Sequence, residues 1–157
     1  MEELIEQFYR AFGACDADTM AECYHANVQF SDPAFGQLSA SEARAMWQML
    51  CKSQKGQGLK VEVSQIQLGT NSATANWQAQ YAFSRTGRKV HNRIVAKFQF
   101  KDGLIISHHD AFDLHLWAKQ ALGFKGWLLG GTSFFQRKLQ QQTRSMLRKY
   151  MSKNNLL

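Results

Sequence analysis

Between residues 72 and 113 the chain changes sides at almost every residue. In SATANWQAQYAFS (72–84), Ala75, Trp77, Ala79, Tyr81 and Phe83 alternate with Thr74, Asn76, Gln78, Gln80 and Ala82. In KVHNRIVAKFQF (89–100), Val90, Asn92, Ile94, Ala96, Phe98 and Phe100 form one row. A period of two over this length specifies strands with one buried and one solvated face. TGR at 86–88 and KDG at 101–103 are tight-turn sequences, so the segments, including LIISHHDAFD (104–113), follow one another as an antiparallel meander. LKVEVSQIQL (59–68) adds a further strand whose alternation slips near Ser64, the mark of a bulge. A sheet with one apolar face needs a cover.

The cover is written upstream, at helical spacing. Leu4, Ile5, Phe8, Tyr9, Phe12 and Cys15 recur along Glu3–Cys15, DADTMAECYH (16–25) opens with capping residues, and a third stripe of Ala43, Met46, Trp47 and Leu50 runs from Ser39 or Ser41 to Cys51. Three helices before any long strand, then a meander, predict an α+β class with the helices on one face of the sheet. At 157 residues, 45% of them hydrophobic, the chain suffices for one globular core.

Charge separates a body from a tail. Residues 1–113 carry 11 Lys and Arg against 12 Asp and Glu, whereas residues 114–157 carry 8 bases and no acid. The body offers no continuous basic stripe, which argues against a nucleic-acid partner. Cys15, Cys23 and Cys51 form no CxxC pair and are odd in number, which fits reduced thiols in a cytoplasmic protein. The opening MEELIEQFYR carries acids where a secretory leader carries bases, and no apolar run reaches the ~20 residues of a membrane span.

Polar residues intrude on the apolar face. Asn92 interrupts the inward row of 90–100, while His108 and Asp110 share a face with Leu104, Ile106 and Phe112. Unpaired polar groups in an apolar wall cost on the order of a few kcal/mol each, so these either satisfy one another or line a cavity. Asp32, in FSDPAFG (30–36), poses the same choice. It is either the first residue of an Asp-Pro turn with its carboxylate in water, or a carboxylate aimed by the proline into an apolar site supplied by Phe30 and Phe35.

FYRAFGACDADTMAECYHANVQFSDPAFG (8–36), together with GRKVHNRIVAKFQFKDGLIISHHDAFDLHLWAKQALG (87–123), resembles the SnoaL-like branch of the superfamily that includes nuclear transport factor two, ketosteroid isomerase and the polyketide cyclases. The resemblance spans residues 3–123 and implies a cone-shaped fold, a strongly curved antiparallel sheet wrapped on N-terminal helices around a pocket open at one end. It implies a homodimer formed through the outer sheet face. Asp32 then falls at the position of the isomerase's general base, a role that calls for a carboxylate held in a mostly apolar site. The oxyanion-binding tyrosine of that enzyme falls on Phe8, with Tyr9 adjacent but about 100° around the helix, and its second donor falls on or beside Ile94. Without those donors, steroid isomerisation by that route is not expected. The cyclase pattern, an inward aspartate on the last strand acting as acid and base, matches Asp110, with His108 beside it and Asn92 as an orienting donor.

These residues define the expected site: Asp32, Asp110 and His108 for proton transfer, and Asn92, Tyr24, Trp77, Tyr81, Phe112, Phe8 and Tyr9 around a small apolar ligand, with no cofactor. HHDAFDLH (108–115) also invites a metal reading, but on a strand only His108 and Asp110 point together, so no metal is expected. Asp113 reads as the cap of helix LHLWAKQAL, which ends at Gly123, and GFKGWLLGGT (123–132) as a connector. Beyond it, SFFQRKLQQQTRSMLRKYM (133–151) is an amphipathic basic helix, part of a C-terminal extension over 124–157. Three functions follow. They are an acid-base enzyme of cyclase, isomerase or hydrolase type, a ligand-binding module without turnover, and an adaptor whose tail meets a partner or a membrane surface.

Overall fold

The computed structural model describes residues 1–156; Leu157, the last residue of the tail, lies outside them. The chain runs α1 (Glu2–Gly13), α2 (Ala17–Glu22), β1 (Tyr24–Asp32), β2 (Gly36–Leu38), α3 (Ala40–Gln54), β3 (Lys60–Leu68), β4 (Ser72–Ala82), β5 (Lys89–Lys101), β6 (Leu104–Ala111), α4 (Leu114–Leu122), α5 (Phe124–Leu129) and α6 (Ser133–Lys153). The six strands form one curved, unclosed sheet in the order β2-β1-β6-β5-β4-β3.

The meander forms where the alternation predicts it. β4 and β5 pair from Ser72↔Gln99 to Ala82↔Lys89, and β6 returns along β5 after a turn at Asp102 and Gly103, whose φ of 52° and 76° match the left-handed pair of a type I′ hairpin. The slip in β3 lies between Ser64 and Gln67, with Gln65 at φ 52°.

The segment 16–32 departs from expectation. Asp16 caps α2 through Thr19 N (3.1 Å), but that helix stops at Glu22, and Tyr24 and His25 begin a nine-residue strand. A long strand therefore precedes α3. It lies parallel to β6, Phe30 opposite His108 and Ser31 opposite His109, so the sheet is mixed rather than wholly antiparallel. The reason is long-range. β1 buries Tyr24, Val28 and Phe30 only by joining a strand about 80 residues downstream, and a helix continued to His25 would withdraw those side chains from the core.

α1 sets both Phe8 and Tyr9 into the core beside Ile5 and Phe12, at i, i+3, i+4 and i+7. α6 packs on α3, Leu147 and Met151 joining the main core, while Leu139 joins a second cluster with Val90, Trp117, Ala118 and Ala121 over β5. Its polar face also holds one loop by its carbonyls. Gln136 and Gln140 donate to Pro33 O (3.4 and 3.1 Å), Thr143 Oγ1 to Ala34 O (2.8 Å), and Arg144 to Phe35 O (3.0 Å) and to Gln37 O. That loop follows Asp32.

Candidate acid-base site

A cavity of about 230 Å³ lies between the concave face of the sheet and helices α3, α4 and α6. Its wall is mostly aromatic and aliphatic, including Phe30, Phe35, Trp47, Trp77, Phe112 and Trp117. Asp32, Tyr81, Asn92 and Asp110 are among the polar groups that break that wall, as are Gln54, Arg85, Gln142 and Thr143.

Asp32 is half-buried at the end of β1. Its Oδ1 accepts the N–H groups of Ala34 (3.0 Å) and Phe35 (2.6 Å), while Oδ2 makes no hydrogen bond to a described residue. Both sequence readings therefore meet in one residue, because it closes an Asp-Pro turn and also borders an apolar cavity. Burial dominates its acidity and pushes the carboxyl up to about 7; the charge of Asp110 adds to this, against the opposing N–H bonds from Phe35 and Ala34. Tyr81 lies near enough for the charge of Asp32 to add to the burial that raises its hydroxyl pKa. Its oxygen accepts Trp117 Nε1–H at 2.8 Å, which leaves the Tyr81 hydrogen free to donate toward the cavity and strengthens it as a donor.

Asp110 is held from behind by a directed chain. Trp47 Nε1 donates to Tyr24 Oη (2.9 Å), Tyr24 Oη meets His108 Nδ1 (2.8 Å), and His108 Nε2 meets Asp110 Oδ1 (3.0 Å), which also accepts Trp77 Nε1–H (3.1 Å). An indole N–H only donates and a carboxylate only accepts, so the buried groups are satisfied together in one sense: Tyr24 donates to Nδ1, and Nε2 carries the hydrogen offered to Asp110. Tyr9 Oη lies 3.4 Å from the same Nε2. The imidazole, fully buried, packs against Phe8, Phe30 and Phe98. With both donors on Oδ1, Asp110 turns Oδ2, which has no partner among the described residues, toward the cavity it borders.

Of the residues expected at the site, Asp32, Asp110, Asn92, Trp77, Tyr81 and Phe112 border the cavity. His108, Tyr24, Phe8 and Tyr9 do not; they fill the layer behind Asp110, because β6 turns His108 toward α1 and α3. The rest of HHDAFDLH disperses. His109 faces outward and pairs with Ser31 Oγ (2.7 Å), Asp113 caps α4 through Leu116 N (2.9 Å), and His115 Nε2 donates to Trp127 O (2.7 Å).

Sequence reasoning missed the contribution of the indoles and of the tail. Trp47 was legible only as an apolar stripe residue and Trp117 only as part of the helix LHLWAKQAL, although a buried tryptophan always brings an N–H that must find an acceptor. Leu139, Gln142, Thr143 and Met146 of α6 close one wall of the cavity. Gln54, 8% exposed, also borders it; its amide N–H donates to Ala82 O (3.2 Å), and its Oε1 is buried without a partner among the described residues.

No curated protein matches the chain. Among solved structures, an LEH-like epoxide hydrolase from M. tuberculosis is 17% identical, with a TM-score of 0.62 over 80% of this chain and 90% of that one. A candidate polyketide cyclase from Xanthomonas campestris pv. campestris is also 17% identical, with a TM-score of 0.61 over 76% and 95%. A protein with a ketosteroid isomerase-like fold from Catenulispora acidiphila, solved with trimethylamine, is 11% identical, with a TM-score of 0.63 over 76% and 92%. At such identities the likeness is one of fold. The sequence itself is matched by the SnoaL-like domain model over residues 5–108, about two thirds of the chain, from α1 to the histidine behind Asp110. The protein belongs to the SnoaL-like family.

Proposed function

We propose that this protein is an acid-base enzyme acting on a small, mostly apolar molecule that carries a carbonyl or epoxide oxygen. The observation that carries the reading is the pair of carboxyl groups on one apolar cavity, held in different ways. Asp32, pushed up to about 7, is in part protonated near neutral pH and can donate to a substrate oxygen, with Tyr81 O–H as a second donor. Asp110 presents a free Oδ2 that can accept a proton from substrate carbon or from an attacking water, while Trp77 and His108 fix its orientation. Asn92 supplies a polar contact that orients the ligand. Isomerisation, cyclisation and hydrolysis share this proton economy, and the family and its fold neighbours include proteins named for each.

Size narrows the substrate. A cavity of 150 Å³ holds benzene, so about 230 Å³ suits a molecule of roughly ten non-hydrogen atoms rather than a steroid or a tetracyclic polyketide.

The test is turnover of a panel of small epoxides and cyclic ketones by the protein and by its Asp32→Asn and Asp110→Asn variants, with ligand affinity measured in parallel. Loss of one general acid or base is expected to lower kcat by about 10²–10⁴-fold with affinity nearly unchanged. The rate of the unaltered protein is expected to fall above about pH 7 as Asp32 loses its proton. A panel that binds tightly but is returned unchanged, with Trp77→Ala weakening binding and neither Asn variant doing so, would instead identify a non-catalytic ligand-binding module.

A further inference from the structure

α5 is built inside out. Its inner face is glycine: Gly126 and Gly130 are buried, and a Cβ on Gly126 would run into the Ala118 carbonyl of α4, one on Gly130 into the Ala118 side chain. Gly123, at φ 66°, reverses the chain so that α5 lies flush on α4, and His115 ties the two by its bond to Trp127 O (2.7 Å). Every large apolar side chain of α5 is thereby turned outward. Phe124 and Leu128 are 72% and 60% exposed, and Trp127 and Leu129 about half. The Phe124 and Trp127 rings adjoin, with centroids 5.5 Å apart, and Leu116 of α4 and Phe134 at the start of α6 are exposed to a similar degree. Core packing does not require this, since the backbone alone covers α4. An exposed set of six large apolar side chains between residues 116 and 134 marks a surface made for an apolar environment.

The charges around it select that environment. Lys119, Lys125, Arg137 and Lys138 are all exposed, Lys138 Nζ lies 5.8 Å from the Phe134 ring centroid, and no acid occurs after Asp113, whose carboxylate is engaged as the α4 cap. A second copy docking here about a two-fold axis would bring these bases against their own equivalents, which is unfavourable. A tryptophan and two phenylalanines rimmed by lysines, whose stems can lie along the apolar surface while their ammonium groups reach outward, match the headgroup zone of a bilayer. We infer that this ridge docks the protein on anionic phospholipid membranes, α5 entering the headgroup layer and the four bases pairing with lipid phosphates. No helix among the described residues is long and apolar enough to cross a membrane. The inference stands independently of the cavity chemistry.

The experiment is co-sedimentation of the full-length protein with phosphatidylcholine vesicles, with and without phosphatidylserine, at low and high salt. Binding is expected only to the anionic vesicles and to weaken as salt rises. Tryptophan emission should shift to the blue on binding, because Trp47, Trp77 and Trp117 are already buried and only Trp127 can leave water. The double variant Phe124→Ser/Leu128→Ser is expected to lower vesicle partitioning by about a hundred-fold, and Lys125→Glu by about five-fold or more, both with an unchanged unfolding temperature. Failure to bind anionic vesicles at low salt would overturn the proposal. So would binding insensitive to the double variant, or a dimer that the same variant dissociates, which would make the ridge a contact between copies.

Discussion

Asp32→Asn is expected to make the protein more stable by an amount that grows as pH rises from about 4 to about 7 and then levels off. The carboxyl, ordinarily near 3.8, is pushed up to about 7 chiefly by burial, so between these values the folded protein keeps a proton that the unfolded chain gives up. Stability from this group is full below the unfolded value and is lost as pH rises through the folded one. The shift of about 3 units corresponds to at most about 4 kcal/mol, and on the order of 3 is a fair expectation. Asparagine removes the charge while its Oδ1 can still accept the Ala34 and Phe35 N–H groups, so the turn survives. Unfolding followed near pH 4 and near pH 9 should show little difference at the first and a variant Tm higher by about 6–12 °C at the second. A difference that does not widen with pH would mean that the carboxylate is well solvated and ill suited as a neutral-pH acid. Together with the expected loss of turnover, the result would make Asp32 a residue that trades stability for chemistry.

Tyr24→Phe, the removal of a single oxygen, is expected to destabilise the protein by about 2–5 kcal/mol, roughly 5–15 °C in Tm. The hydroxyl is the only link between Trp47 Nε1–H and His108 Nδ1, and without it two buried groups lose their partners at once. Tyr81→Phe is the informative comparison. It also deletes a hydroxyl that accepts from an indole, but Tyr81 borders the cavity, where water can take over the Trp117 N–H, and the expected loss is about 1 kcal/mol. Equal losses would argue against a directed chain behind Asp110. A loss confined to Tyr24 would support it, and any turnover left in the Tyr24→Phe variant would then report how far that chain positions the Asp110 carboxylate.

The parts of the fold legible in sequence were those whose signal is local. β4, β5 and β6 announced themselves by alternation and by KDG, and α4 by its cap at Asp113 and its stop at Gly123, because hairpins and caps are settled by residues a few positions apart. β1 was hidden because its partner is a parallel strand far along the chain, and the helical capping signal at Asp16 is strong for the six residues over which it is obeyed. At the site, the inward face of β6 identified His108 and Asp110 as neighbours. It did not show that one carboxylate oxygen takes two donors while the other is left for the cavity, nor that the histidine looks away from that cavity.

The amino-acid pattern by itself determined a one-faced sheet under helices, an inward carboxylate at Asp110 and a basic tail segregated from a nearly neutral body, since burial periodicity and charge are carried by each residue wherever it lies. The tertiary structure alone decided what that carboxylate and Asp32 can do. The desolvation of Asp32, the Trp47–Tyr24–His108–Asp110 chain, the closure of the cavity by α6 and the outward turn of the α5 apolar ridge each depend on groups distant in sequence and close in space. Hydrogen-bond direction and dielectric environment are properties of those arrangements rather than of any residue in them.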